Sequence, residues 1–115
     1  MENLFSLYKT ILYTRQFFLM KDFYTDSMGF ELSFADDKMG VAEWVVGKGV
    51  IRVENSAKRE IQPICFGLNV SSWREAKTLL VSRHLNVSAV KVQEGKCSFE
   101  VKDPDLNTIL IIETL

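Results

Sequence analysis

The sequence predicts an α+β domain made of two copies of one βαβββ module. Three observations lead there. Segments in which apolar and polar residues alternate are interrupted by two segments whose apolar residues recur every three or four positions. The order of these segments, one strand, a helix and then three strands, occurs twice. Each occurrence takes about half of the 115 residues, with module boundaries near 1–56 and 61–115. A half this small leaves one face of its sheet bare, so the two halves are expected to pack into a single domain spanning 1–115.

Taken in order, residues 4–14 are rich in Leu, Ile and Tyr with polar residues between them and read as the first strand. Over residues 16–28 the period changes: Met20, Phe23, Tyr24 and Met28 line one helical face, and Gly29 supplies the stop. Residues 30–35 form a short strand and Asp36-Asp37-Lys38 a polar turn. Residues 39–46 and 50–55 form a hairpin closed by Gly47-Lys48-Gly49. Residues 56–60, including Lys58-Arg59-Glu60, read as a solvated linker. The second round begins with a strand over 61–70. Ser71 or Ser72 then caps a helix with Glu75 in its first turn and Trp73, Ala76 and Leu80 on its buried face. Strands near 87–92, 97–102 and 108–113 follow, separated by turns at Glu94-Gly95 and Asp103-Pro104-Asp105.

Charge and composition exclude several classes. With 14 basic and 15 acidic side chains the chain has no cationic surplus for a nucleic-acid backbone. Apolar stretches fall well short of the ~20 residues that span a bilayer. Met1-Glu2-Asn3 provides no positive region ahead of an apolar run, so a cytoplasmic location without a membrane partner is expected. Cys65 and Cys97 lie in apolar runs without CxxC spacing, which reads as two buried free thiols, a disulfide being the alternative.

Two motifs carry a family resemblance. Phe23-Tyr24-Thr25-Asp26-Ser27-Met28-Gly29-Phe30-Glu31-Leu32 joins a helix to a strand through FY and GF. Val101-Lys102-Asp103-Pro104-Asp105-Leu106-Asn107-Thr108-Ile109 places a DPD turn before the last strand. With the element order, these make the chain resemble the vicinal oxygen chelate superfamily, which includes glyoxalase I, bleomycin-resistance proteins and extradiol dioxygenases. The resemblance implies two βαβββ modules whose curved mixed sheets form an incomplete barrel, or cup. It also implies a homodimer. One departure stands out: Leu106 occupies the place of the family's usual Gly, so positive φ is expected to pass to Asn107.

In enzymes of that superfamily two His and two Glu bind a divalent metal inside the cup. Carried onto this chain, those positions fall on Lys9, close to Arg52, on Pro63 and on Leu110. Lys and Arg repel a cation, and Pro and Leu offer no side-chain donor. The only histidine, His84, ends the second helix, where it reads as a charge partner for the helix terminus or a plain surface residue. No metal or other cofactor is therefore expected. Strand alternation places Lys9, Ile11 and Tyr13 on one face, as it does Val50, Arg52 and Glu54, then Pro63, Cys65 and Gly67, and finally Thr108, Leu110 and Ile112.

Lys9, Tyr13, Arg52, Cys65 and Leu110 are thus the candidate ligand contacts, in a mostly apolar cavity with one cationic wall suited to a small anionic or aromatic molecule. Each has a plainer reading. Lys9 and Arg52 can pair with Glu43 or Glu54 or reach solvent, Tyr13 and Cys65 can be core, and Trp44 and Trp73 can anchor the core or a dimer interface. Three functions stay open: a metal-free small-molecule binder, an enzyme using Glu43, Glu54 or Tyr13 at an unusual site, and a protein-interaction module.

Overall fold

The computed structural model describes residues 4, 7–57 and 60–115. The N-terminal Met1-Glu2-Asn3, the part of the expected first strand at Phe5 and Ser6, and the linker residues Lys58 and Arg59 lie outside the described residues. The chain divides into two compact units, Met1–Ile61 and Gln62–Leu115.

In the first unit β1 (Lys9–Thr14) leads into helix α1 (Phe17–Asp22), which continues as a π-helical turn over Phe23–Ser27. Strands β2 (Glu31–Asp36), β3 (Val41–Val46) and β4 (Gly49–Asn55) follow. They form a sheet in the order β1-β4-β3-β2, in which only β1 and β4 are parallel. The second unit repeats this with β5 (Cys65–Asn69), α2 (Trp73–Ser82), β6 (Lys91–Gln93), β7 (Lys96–Lys102) and β8 (Thr108–Thr114) in the order β5-β8-β7-β6. The expected α+β architecture of two βαβββ modules is therefore present.

Period-two alternation sends one face of each sheet toward its helix. In the first unit Leu12 and Thr14 of β1, Ala42 and Trp44 of β3, and Ile51 and Val53 of β4 are buried with Phe17, Met20, Phe23, Tyr24 and Met28 of the helical segment. The four apolar positions expected at helical spacing, Met20, Phe23, Tyr24 and Met28, are all buried. Tyr24 centres an aromatic cluster, 5.1 Å from Phe23 and 5.4 Å from Trp44 between ring centroids. The Trp44 indole N–H donates to Thr25 Oγ1 at 3.0 Å, which satisfies the one polar atom that burial would strand. The Met28 N–H reaches back five residues to the Phe23 carbonyl at 2.8 Å, and Gly29 then turns the chain at φ 75°. In the second unit Cys97, Phe99, Val101, Ile109 and Ile111 supply the buried face beneath Leu80 of α2. Helix α2 starts where expected: Ser72 Oγ accepts the Glu75 N–H, and the Trp73 N–H donates to Glu113 Oε1 at 2.8 Å.

Several expectations are corrected. Strands β1 and β5 begin later than alternation alone predicts, at Lys9 and Cys65, because their parallel partners offer ladder positions only from Val50 and Thr108 onward. Pro63 consequently precedes β5 and does not share its face with Cys65 and Gly67. Strand β6 shrinks to Lys91–Gln93, since Ser88 Oγ takes the Glu100 N–H at 2.8 Å and a side chain replaces the ladder bond there. Cys97 is buried, but Cys65 is exposed on the face turned away from the helix, and both thiols are free.

The turn before β8 corrects another expectation. Leu106 itself takes φ 66°, not Asn107. Buried Asp103 over-determines the loop: its Oδ1 accepts the N–H groups of Asp105 and Asn107, both at 2.9 Å, and its Oδ2 accepts Asn107 Nδ2 at 2.8 Å. Asn107 Oδ1 is left to take the Ile64 N–H at 2.8 Å, which ties the turn to the start of β5. At the end of α2, His84 adopts φ 64°; its N–H bonds to the Val81 carbonyl and the Leu85 N–H to that of Leu80. This is the Schellman pattern, with His in the place usually held by Gly.

Left-handed geometry at a bulky residue costs about 1–2 kcal/mol, whereas Gly loses roughly 0.5–1 kcal/mol more backbone entropy on folding. Leu106 is largely exposed, so its side chain contributes little burial. Leu106→Gly is expected to raise stability by about 0.5–1 kcal/mol and Leu106→Ile to lower it, read from urea unfolding midpoints.

Candidate functional site

The candidate site is the face of the first sheet turned away from α1. The register aligns Ile11 of β1 with Arg52 of β4, Arg52 with Glu43 of β3, and Glu43 with Phe34 of β2. Lys9 lies one step diagonally from Arg52, and Glu54 two residues along the same strand. Chemistry then closes the group. Glu43 Oε2 accepts from Lys9 Nζ at 2.9 Å and from Arg52 Nη1 at 2.6 Å, and Arg52 Nη2 reaches Glu54 Oε1 at 3.2 Å. All four side chains are between 18% and 29% exposed, which places them well down on the sheet surface.

These contacts fix the protonation states. Hydrogen bonds from Lys9 and then Arg52 hold the Glu43 carboxyl below its ordinary value, against the opposing effect of burial. The same bond to Glu43 raises the Lys9 ammonium, and Glu43 followed by Glu54 raises the Arg52 guanidinium. The paired reading of Lys9 and Arg52 is the one the geometry bears out. The expected cationic wall is neutralised, because two cations face two carboxylates.

Around this network the face is mostly apolar, with Glu31 and Asp36 on the outer strand β2. Ile11, Phe34 and Val45 are 40–49% exposed, and Tyr13, Val41 and Val50 are half-buried. Sequence alternation missed Phe34. A register shift between Leu32 and Phe34 sends Leu32 to the helix side, opposite Trp44, and Phe34 to the open side, opposite Glu43. The bulge depends on how β2 meets β3, so a single strand's pattern carries no sign of it.

In the second unit the corresponding open face carries Cys65 and Gly67 of β5 beside Thr108 and Leu110 of β8. The internal register also moves one predicted position. Lys9 stands two residues before the partner of Arg52; the residue two before Gly67, the partner of Leu110, is Cys65 and not Pro63. By this internal register, Lys9 and Arg52 of the first module correspond to Cys65 and Leu110 of the second. An ammonium and a guanidinium have no lone pair to donate, Leu has no donor, and one thiol does not make a site. Among the described residues, no group of three or more His, Cys, Asp or Glu is gathered for an ion. This donor set does not fit a divalent metal.

A separate shallow depression of about 360 Å³ lies at the far end of β1, between Arg15, Phe18, Lys38, Met39 and Asn55. None of the predicted contacts lines it. His84 is exposed and belongs to the helix cap of α2. No helix among the described residues is long and apolar enough to cross a membrane.

The doubled module, with parallel outer pairs and a helix on one face of each sheet, is the vicinal oxygen chelate fold. Solved structures of that fold match 94–100% of the chain. TnmS3, an antibiotic-binding protein from a Streptomyces species, is 15% identical with a TM-score of 0.84, covering 100% of both chains. A putative glyoxalase family protein from Bacillus anthracis is 18% identical with a TM-score of 0.82, again covering 100% of both. An integron cassette protein from the mobile metagenome of a Halifax Harbour sewage outfall is 22% identical with a TM-score of 0.83, covering 94% of this chain and 97% of the other. No protein-family model and no curated protein sequence matches the chain.

The ion network generates a pH test. Because the folded Glu43 carboxyl lies below its ordinary value of 4.5, its stabilising contribution is complete at neutral pH and declines as acid protonates it. The contributions of Lys9 and Arg52, whose values are raised, are present at neutral pH and lost only in strong alkali. Wild type is expected to lose more stability than Glu43→Gln as the pH falls below 4.5, measured as urea midpoints across an acid series.

Proposed function

We propose that this protein binds a small, largely uncharged aromatic molecule on the open face of its first sheet and carries out no chemistry on it. The observation that carries this reading is the closed network of Lys9, Glu43, Arg52 and Glu54 set among Ile11, Tyr13, Phe34 and Val45. Apolar and aromatic side chains offer a ligand dispersion and burial, and the network offers oriented hydrogen bonds at its centre. Two candidate acid–base groups are already engaged, Glu43 by two cations and Glu54 by Arg52. The antibiotic-binding protein among the matching structures supports a binding role. Cys65 and Leu110 lie on the open face of the second sheet and stay candidate contacts there. The reading also takes the protein to work without a metal, in the cytoplasm and as a homodimer.

A thermal-shift screen of planar aromatic compounds tests the proposal, and hits are expected. Burying a Phe side chain contributes about 1.5–3 kcal/mol, so Phe34→Ala or Tyr13→Ala should weaken a hit by roughly tenfold or more with the fold intact. Phe18→Ala should leave it unchanged; weakening there would move the ligand to the depression beside β1. Zinc, nickel and manganese should leave the Tm where it is, since a true metal site would raise it by mass action. An aromatic library that yields no hit, or a metal that raises the Tm, would overturn the reading.

A further inference from the structure

We infer that Glu43 sets the charge class of the ligand: by holding Lys9 and Arg52 in a neutral network, it opens this face to uncharged molecules and turns small carboxylates and phosphates away. The inference rests on the binding reading above and adds a specificity residue to it. Two cations on one sheet face would ordinarily make an anion site. Here a single oxygen, Glu43 Oε2, accepts from both, at 2.9 Å and 2.6 Å, and Glu54 takes a further Arg52 N–H at 3.2 Å. An incoming carboxylate must displace one that is already in place and tethered to β3 directly opposite Arg52, so it gains little for its own desolvation. An uncharged ligand displaces nothing. It can accept from guanidinium and ammonium N–H groups left over after these bonds, since Arg offers five donors and Lys three.

The charge balance is also adjustable by single isosteric changes. Glu43→Gln keeps the size and the acceptor oxygen but leaves two cations against Glu54 alone. Arg52→Gln leaves two carboxylates against Lys9 alone. Benzoate, benzamide and benzamidine are planar probes of nearly one shape that carry negative, zero and positive charge.

The expected result is that wild type is stabilised by benzamide at least as well as by benzoate or benzamidine, in thermal shift and in titration calorimetry, and is unmoved by inorganic phosphate. Glu43→Gln should gain about tenfold in affinity for benzoate relative to benzamide, and Arg52→Gln about tenfold for benzamidine, as one uncompensated charge at close range suffices for that factor. If Glu43→Gln fails to fold, the Arg52→Gln arm and the wild-type ranking still decide. Wild type that prefers benzoate to benzamide, or variants whose preferences do not move, would sink the inference while leaving the binding reading in place. Wild type that takes none of the three probes, beside a Glu43→Gln variant that takes benzoate, would uphold the role of Glu43 and count against the binding reading.

Discussion

Each module depends on one parallel strand pair, β1 with β4 and β5 with β8, because that pairing decides which side chains meet the helix and which face away. A one-residue slip in either register would exchange the faces. If β1 slipped against β4, Leu12 and Thr14 would leave the core, and Lys9, Ile11 and Tyr13 would enter it. Burial of Trp44 against Tyr24 of the helical segment favours the native register. Every property of the open face follows from this choice, since it holds the residues that the helix side does not use.

The ion network is the inverse of a metal centre. In a metal site several donors converge on one cation; here two cations converge on one carboxylate oxygen. Both arrangements place fixed charge at the middle of an apolar sheet face, and both orient hydrogen bonds outward from it. They differ in what they can do. A divalent ion polarises a bound oxygen and stabilises an oxyanion, whereas a neutralised pair of side-chain cations has no open coordination position.

Two places break local rules, and each is held by a specific arrangement. Leu106 takes a left-handed conformation because Asp103 claims the amides on either side of it and Asn107 anchors the loop to Ile64. His84 takes one because both bonds of the helix cap require the chain to turn there. Backbone strain of this kind persists only where surrounding contacts outnumber it. Chain direction into β8 and out of α2 is the return for it.

Much of this was legible from the residues. Alternation and helical spacing identified both modules, a cap at Ser71 or Ser72, the turns at Gly47 and Gly95, and the shared faces of β1 and β4. These follow from local stereochemistry and side-chain identity, which a sequence states outright. Tertiary structure decided the rest. Whether Lys9 and Arg52 stood open or paired turned on Glu43, which sequence could only offer as one partner among several, because cross-strand distance is set by register. Phe34 reached the open face through a bulge that exists only where β2 meets β3. Cys65 replaced Pro63 at the start of β5, since a strand begins where its partner's ladder does, and Leu106 took the strain that was expected of Asn107 because Asn107's side chain was already committed to Asp103 and Ile64. Pairing between distant segments fixes such details, and no single segment contains it.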